Sequence, residues 1–262
     1  MTIIEQAKEY LSHRLEAELS YQNNLETLLD ENASKLVDIA YASNIPPTYF
    51  SFSYNKKIEK QVDALIDDIL SEVIDDVDTL AVSTHTGNKD KILNYIHRDI
   101  YGQTLSDRAD SHTQTFKKEM EGIIAAGLIL DVSKSNIKQS VRTYRKMPYQ
   151  NPVFRQALKL GQGSAAALKD KGLHFGVGIS NSSYNALNYL GRYEIAEGWE
   201  YNDFLDMSLS GAVGYEVHRG SNKSCSDCQD LVGFHSFSEG MVLPEHVHCQ
   251  CYAIPVFKQD IS

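Results

Sequence analysis

A chain of 262 residues, 42% hydrophobic and 23% charged, has enough apolar side chain for one large core or two modest ones, and its composition excludes wholesale disorder. Its formal charge of −10 excludes a surface that is a nucleic-acid platform throughout, because duplex binding rests on neutralising phosphates. The opening MTIIEQAKEY lacks the basic flank and apolar run of a secretion signal, and no apolar stretch of about 18 residues is present, so the expected setting is the cytoplasm, away from membrane, unless a particle carries the protein out.

From Ile3 to about Ala42, Ile4, Ala7, Leu11, Leu15, Leu19, Leu25, Leu28, Leu29, Leu36 and Ile39 recur at helical spacing among polar residues, and Asn44-Ile45-Pro46-Pro47 ends the run. A second helix is predicted over about 55–80. Its stripe of Val62, Leu65, Ile66, Ile69, Leu70, Val73, Ile74 and Val77 lies among seven acids (Asp63, Asp67, Asp68, Glu72, Asp75, Asp76, Asp78) and no base. A solvated acidic face is the simpler reading of this pattern, and a docking face for a basic partner the other. After a turn at Thr86-Gly87-Asn88, helices are expected over about 89–101 and 106–126, with Gly127 as a helix end and Asp131-Val132-Ser133 capping the next helix, about 134–146, before Pro148. The stretch 134–171 holds nine bases (Lys134, Lys138, Arg142, Arg145, Lys146, Arg155, Lys159, Lys169, Lys171) against Asp170. Either it neutralises the acids earlier in the chain or it marks a contact with phosphate or an acidic surface. Gly161, Gly163, Gly172, Gly176 and Gly178 predict a flexible connection, with no phosphate-loop spacing. A long helix over 183–209 follows. From Gly214 the texture turns to short strands, around 215–218, 233–237 and 249–257.

The expected fold is therefore mainly α, a multi-helix body with a small β-rich C-terminal module stapled by cysteine and histidine. In linear order this divides as an N-terminal helical region (1–100), a helical body (101–212) and the module (213–262). All four cysteines fall in that last stretch, as Cys225-Ser226-Asp227-Cys228 and Cys249-Gln250-Cys251, with His246 and His248 just ahead of the second pair. C-x2-C sets two sulfurs on one side of a turn, a usual half-site for tetrahedral zinc. If Cys249 and Cys251 lie on a strand they share a face, with His246 and His248 on the other unless a turn brings one inward. The economical closed site is four thiolates, with His246 as the replacement ligand for a structural zinc ion. Disulfides and packed reduced thiols are the alternatives, and all three readings brace a small fold without performing chemistry. Catalytic patterns fare worse: H-x-E ahead of P-C-x-x-C, H-E-x-x-H and G-x-S-x-G are all missing. A nucleophilic pair of Cys249 with His235 or His218, and a metal-dependent nuclease built on His246 and His248, remain as rivals. His13, His85, His97, His112 and His174 read as ordinary structural residues.

The run Cys225-x-x-Cys228-x-x-Leu231-x-Gly233, then Pro244-x-His246-x-x-Cys249-x-Cys251, closing on Pro255, resembles the end of the phage Mu F-like (head morphogenesis) minor head proteins. Their pattern is C-x-x-C-x-x-L-x-G, then P-x-H-P-x-C-R-C, an apolar strand and Pro. Val247 stands here where the family usually has Pro, and Gln250 where it often has Arg. The 105–210 region is compatible with the family's helical body in texture, and residues 1–100 carry no likeness. The resemblance implies a non-enzymatic virion protein present in few copies, made in the host cytoplasm. It would bind portal or capsid proteins in the head interior and act in head assembly and genome packaging or delivery, with residues 134–171 touching packaged DNA. Related modules occur fused to toxins that carry an extra catalytic domain. The chain ends at Ser262, so none is expected after the module.

Overall fold

The computed structural model of the chain describes residues 1–84, 87–160, 182–223 and 225–260. The glycine-rich connection expected at 161–178 lies outside them, as do Thr86, Lys169, Lys171, His85 and His174.

The fold is mainly helical with a small antiparallel sheet near the C-terminus. Eight helices occur among the described residues: α1 (Ile3–Ala42), α2 (Lys56–Ala81), α3 (Lys89–Ile96), α4 (Leu105–Ile129), α5 (Lys134–Tyr144), α6 (Pro152–Lys159), α7 (Ser183–Leu209) and the short α8 (Ser226–Asp230). Three strands, β1 (Gly214–Arg219), β2 (Gly233–Ser236) and β3 (Cys251–Val256), form a sheet in the order β2-β1-β3.

Contacts group the chain into two compact units that interleave along the sequence. One comprises Met1–Gln22, Asp75–Leu105 and Leu190–Ser262, the other Asn23–Ile74 and Ser106–Tyr189. The three linear stretches above are a different partition, drawn from periodicity and not from contacts.

In the second unit, Leu25, Leu29, Leu36 and Val37 of α1 are buried, as are Val62, Ile66, Ile69 and Val73 of α2, while Asp67, Asp68 and Glu72 are exposed. This is the amphipathic division that the periodicity predicts. The basic helix α5 is largely answered from α1. Lys134 and Lys138 lie 2.7 and 2.8 Å from Asp38, and Arg145 lies 2.7 Å from Glu26 and 2.8 Å from Asp30. At the start of α7, Glu119 is the partner of orphan donors: it accepts from the Ser183 N–H at 2.9 Å and from the Ser183 hydroxyl at 2.5 Å.

Three local expectations are corrected. Gly127 does not end a helix, because α4 runs through it to Ile129. A Cβ there would strike the Ile137 side chain, so the residue is small for close packing of α5, and the reversal falls instead at Asp131, with φ 51°. Ser133 does cap α5, accepting from the Asn136 N–H. Second, α3 stops at Ile96 and not near Tyr101. Asp99 accepts from the Gly102 N–H at 2.7 Å, and Tyr101 and Gly102 take positive φ, a turn that competes with further helix. Third, α6 was not anticipated. Asn151 caps it through the N–H groups of Val153 and Phe154, Pro152 opens it, and Phe154 and Ala157 are buried.

In the first unit Trp199 anchors the core, 1% exposed, its indole N–H donating to the Leu80 carbonyl at 2.9 Å. The Tyr10 hydroxyl donates to the Trp199 carbonyl at 2.5 Å. β1 is the central strand: Val217 faces Gly233 of β2 and Ala253 of β3. Pro255 sits on the edge strand β3, where a missing N–H is tolerated. Tyr215, Val217, Leu243, Cys228, Cys249, Cys251 and Ala253 form a small core with Met207, and Phe204 of α7 packs against it. A hydrophobic cluster of this size holds its shape poorly by burial alone.

Candidate metal centre

Cys225 precedes α8 as its N-cap, and its sulfur accepts from the Cys228 N–H at 3.5 Å, so one helical turn sets the two thiols side by side. The second pair is built differently from the strand expected at 249–257. β3 begins only at Cys251, opposite Arg219, while the Cys249 N–H donates to the His246 carbonyl at 3.0 Å and closes a turn in which His248 takes φ 66°. Cys249 and Cys251 therefore converge across a turn-to-strand junction and not along one pleated face. The same turn separates the two histidines, which an extended strand would have kept together.

His246 is the one turned inward. Its Nε2 lies 3.2 Å from the Cys225 sulfur and 3.0 Å from that of Cys228. Its Nδ1 lies 2.9 Å from the Val247 carbonyl, which only accepts, so the proton belongs on Nδ1 and the Nε2 lone pair faces the thiols. The Cys228 and Cys249 sulfurs are 3.9 Å apart. Two triads, Cys225–Cys228–His246 and Cys228–Cys249–Cys251, each keep their donor atoms within 4.8 Å of one another, and Cys228 belongs to both. The structure thus brings together Cys225, Cys228, Cys249, Cys251 and His246. All four cysteines are free thiols, so the disulfide alternative is not realised.

Four sulfurs this close cannot all ionise on their own. Hydrogen bonding from the Cys251 thiol, helped by backbone hydrogen bonds at Cys251 and Glu245, brings Cys249 down to about 5. The Cys228 N–H lowers Cys225. Burial pushes Cys228 up to about 12, and the hydrogen bond to Cys249 raises Cys251. The cluster by itself splits into two thiols of lowered pKa, Cys225 and Cys249, and two of raised pKa, Cys228 and Cys251, and a cation is what would let the remaining protons leave.

The centre is tied to the helices of its own unit by Arg14, which is fully buried. Its guanidinium donates to the Cys249 carbonyl and to the Glu200 carboxylate of α7, and its Nε lies 3.5 Å from Glu18. Arg192 pairs with the same Glu18 at 3.0 Å. Burial holds Glu200 at about 7 in spite of Arg14, and it raises Glu18 too. Nothing in the local sequence marks Arg14, because its partner carbonyl at Cys249 lies 235 residues away.

The nucleophilic pair of Cys249 with His235 or His218 is not formed. The ring nitrogens of His235 face the Leu231 carbonyl at 2.8 Å and Glu239 at 3.3 Å, and the His218 ring stacks on Tyr252, so neither is paired with Cys249. His97 bonds Asp78 at 2.7 Å, as a structural histidine would. Beside the thiols opens a cavity of about 360 Å³ lined by Arg219, Ser221, Lys223, Cys225, Cys228, His246, His248, Gln250 and Cys251. Its basic wall was not anticipated, since Arg219, Lys223 and His248 become neighbours only through the sheet and the turn. No helix among the described residues is long and apolar enough to cross a membrane. The cysteine and histidine groups could hold a metal ion, and in comparisons with protein-family models, curated proteins and solved structures no match to this chain is found.

Proposed function

We propose that the chain is a non-enzymatic assembly protein of a phage head, a minor head protein whose C-terminal module is braced by a structural zinc ion. The observation that carries the brace is the convergence of four free thiols and one correctly tautomerised imidazole from two segments of the chain. Tetrahedral zinc with bonds of about 2.3 Å sets its sulfurs about 3.8 Å apart. The 3.9 Å between Cys228 and Cys249 suits that edge without rearrangement. The two triads share Cys228, and a zinc ion would draw four of the five donors into one tetrahedral shell, with His246 taking the place of one thiolate and no position left open for a substrate. Three of the thiols are buried and the centre is wired to a buried arginine, which suits a staple better than a reaction centre.

The assembly role rests on the likeness of the run from Cys225 to Pro255 to the Mu F-like pattern. Portal and capsid proteins are its partners in this reading, and the virion its destination. Packaged DNA through residues 134–171 is the weaker part of the reading, since Lys134, Lys138, Arg145 and Lys146 already face carboxylates.

The test has two arms. Elemental analysis with thiol titration of protein purified under reducing conditions should give one zinc per chain and thiols that react only after chelation; freely reactive thiols without metal would remove the brace. Sequencing of the neighbouring genes should find portal and capsid genes, and co-expression with their products should place the chain in assembled heads. Its exclusion from heads, together with metal-dependent degradation of DNA or RNA that His246→Ala/His248→Ala abolishes at unchanged thermal stability, would replace the assembly role with a nuclease.

A further inference from the structure

The cavity beside the thiols differs in charge from the protein around it. In a chain of net charge −10 its lining contains Arg219, Lys223, His246, His248, the Ser221 hydroxyl, the Gln250 amide and the thiols of Cys225, Cys228 and Cys251, and no carboxylate. Arg219 is held in place by neutral acceptors: its guanidinium donates to the Gln229 side-chain oxygen at 3.2 Å and to the Lys223 carbonyl. Both bonds fix the fork through neutral acceptors, with no carboxylate paired to it among the described residues. Neither Arg219 nor Lys223 forms an ion pair among the described residues, whereas most bases of α5 do. The close approach of Gly220 to the Gln250 carbonyl, where a Cβ would collide, holds the strand end bearing Arg219 against the turn bearing His248. A fixed guanidinium, a neighbouring ammonium without a carboxylate partner and an open concave wall are what recognition of a tetrahedral oxyanion requires.

We propose that this cavity is a phosphate-binding site, with Arg219 and Lys223 as its charged contacts and Ser221 and Gln250 as neutral donors. The phosphate is either that of a polynucleotide backbone or a free inorganic ion, and the chemistry recognised is the same. The nucleic-acid contact then moves from the internally paired helix α5 to the C-terminal module. The site does not depend on the assembly role, and it shares part of its lining, Cys225, Cys228, Cys251 and His246, with the candidate metal centre.

Binding to full-length protein of measured metal content is followed in two arms: anisotropy of a short fluorescein-labelled single-stranded oligodeoxynucleotide, and calorimetry with inorganic phosphate. Arg219→Gln and Lys223→Gln should each weaken binding about tenfold. For the oligonucleotide, the slope of log affinity against log salt should also fall by about one per charge removed. Lys134→Gln/Lys138→Gln should change neither. Oligonucleotide binding with this sensitivity identifies a polynucleotide as the source, and phosphate binding alone identifies the free ion; either upholds the site. Binding of neither probe, or binding indifferent to the cavity variants, overturns it. So does loss of metal from the Arg219 and Lys223 variants, which would make the cations neutralisers of the thiolates. Failure on the first two counts leaves the zinc and assembly reading standing.

Discussion

Replacing Arg14 by Met tests whether the helices hold the centre through this one buried guanidinium. The substitution keeps most of the side-chain volume. It removes the partner of Glu200, the neighbour of Glu18 and the donor to the Cys249 carbonyl. With Arg14 present, Glu200 titrates at about 7 against an ordinary 4.5, so its ionised form already costs the fold about 3 kcal/mol at alkaline pH. The sign follows from the raised value: stability linked to Glu200 is fully present below pH 4.5 and is lost as pH rises through about 7. Without Arg14 the carboxyl rises further, and Glu18, also raised by burial and facing Arg14 and Arg192, moves the same way. Asp203, held at about 8 by burial and by Glu200, is already protonated at neutral pH, and the Cys249 thiolate loses a favourable cation. Breaking a buried pair costs about 3–5 kcal/mol at pH 8. At pH 5 Glu200 is protonated in the folded state of both proteins, so the cost should shrink to that of lost hydrogen bonds, about 1–2 kcal/mol. Urea unfolding followed by circular dichroism at both pH values measures the difference. Arg14→Met/Glu200→Gln should recover much of the loss at pH 8, and zinc affinity should fall about tenfold in the single variant. A cost below about 1 kcal/mol at pH 8, or equal costs at the two pH values, would refute the assignment.

Gly220→Ala should destabilise the module by about 1–3 kcal/mol and speed metal release to a chromogenic chelator, since the added methyl meets the Gln250 carbonyl and Leu11. Glu119→Gln should flatten the pH dependence of stability: Glu119 is held at about 7 by burial, so the wild type loses about 3 kcal/mol between pH 4.5 and pH 7, and denaturant titrations of the variant should lack that slope. Gly127→Ala should cost about 1–3 kcal/mol by pressing on Ile137, measurable by thermal unfolding, and Gly127→Ala/Ile137→Val should recover part of the loss, as it would not if a left-handed helix end selected the glycine.

Much of the architecture was legible as periodicity. The stripe from Val62 to Val77 reports one buried face, and a helix needs no information beyond its own residues to declare it, whereas residues 194–200 of α7 are buried at successive positions, all round the helix, which only packing decides. Helix ends were less legible, because each is a competition. Gly127 carries the composition of a terminator but lies inside α4, since contact with Ile137 and not backbone freedom selects it. At Asp99 a side chain outbid the next helical turn.

At the candidate centre, the five donors follow from local spacing: Cys225 and Cys228 from one helical turn, Cys249 and Cys251 from adjacency, His246 from its place just ahead. How they meet does not. An alternating strand would have put His246 and His248 on one face, and only the left-handed turn at His248 parts them, giving one to the thiols and the other to the cavity wall. Arg14 and Glu200, and the pairing of Arg219 with a cavity free of carboxylate, belong to tertiary structure alone. The residues that meet there are set by the packing of α1, α7 and the sheet, and a side chain's burial and charge environment are properties of its neighbours in space, which periodicity along a chain does not encode.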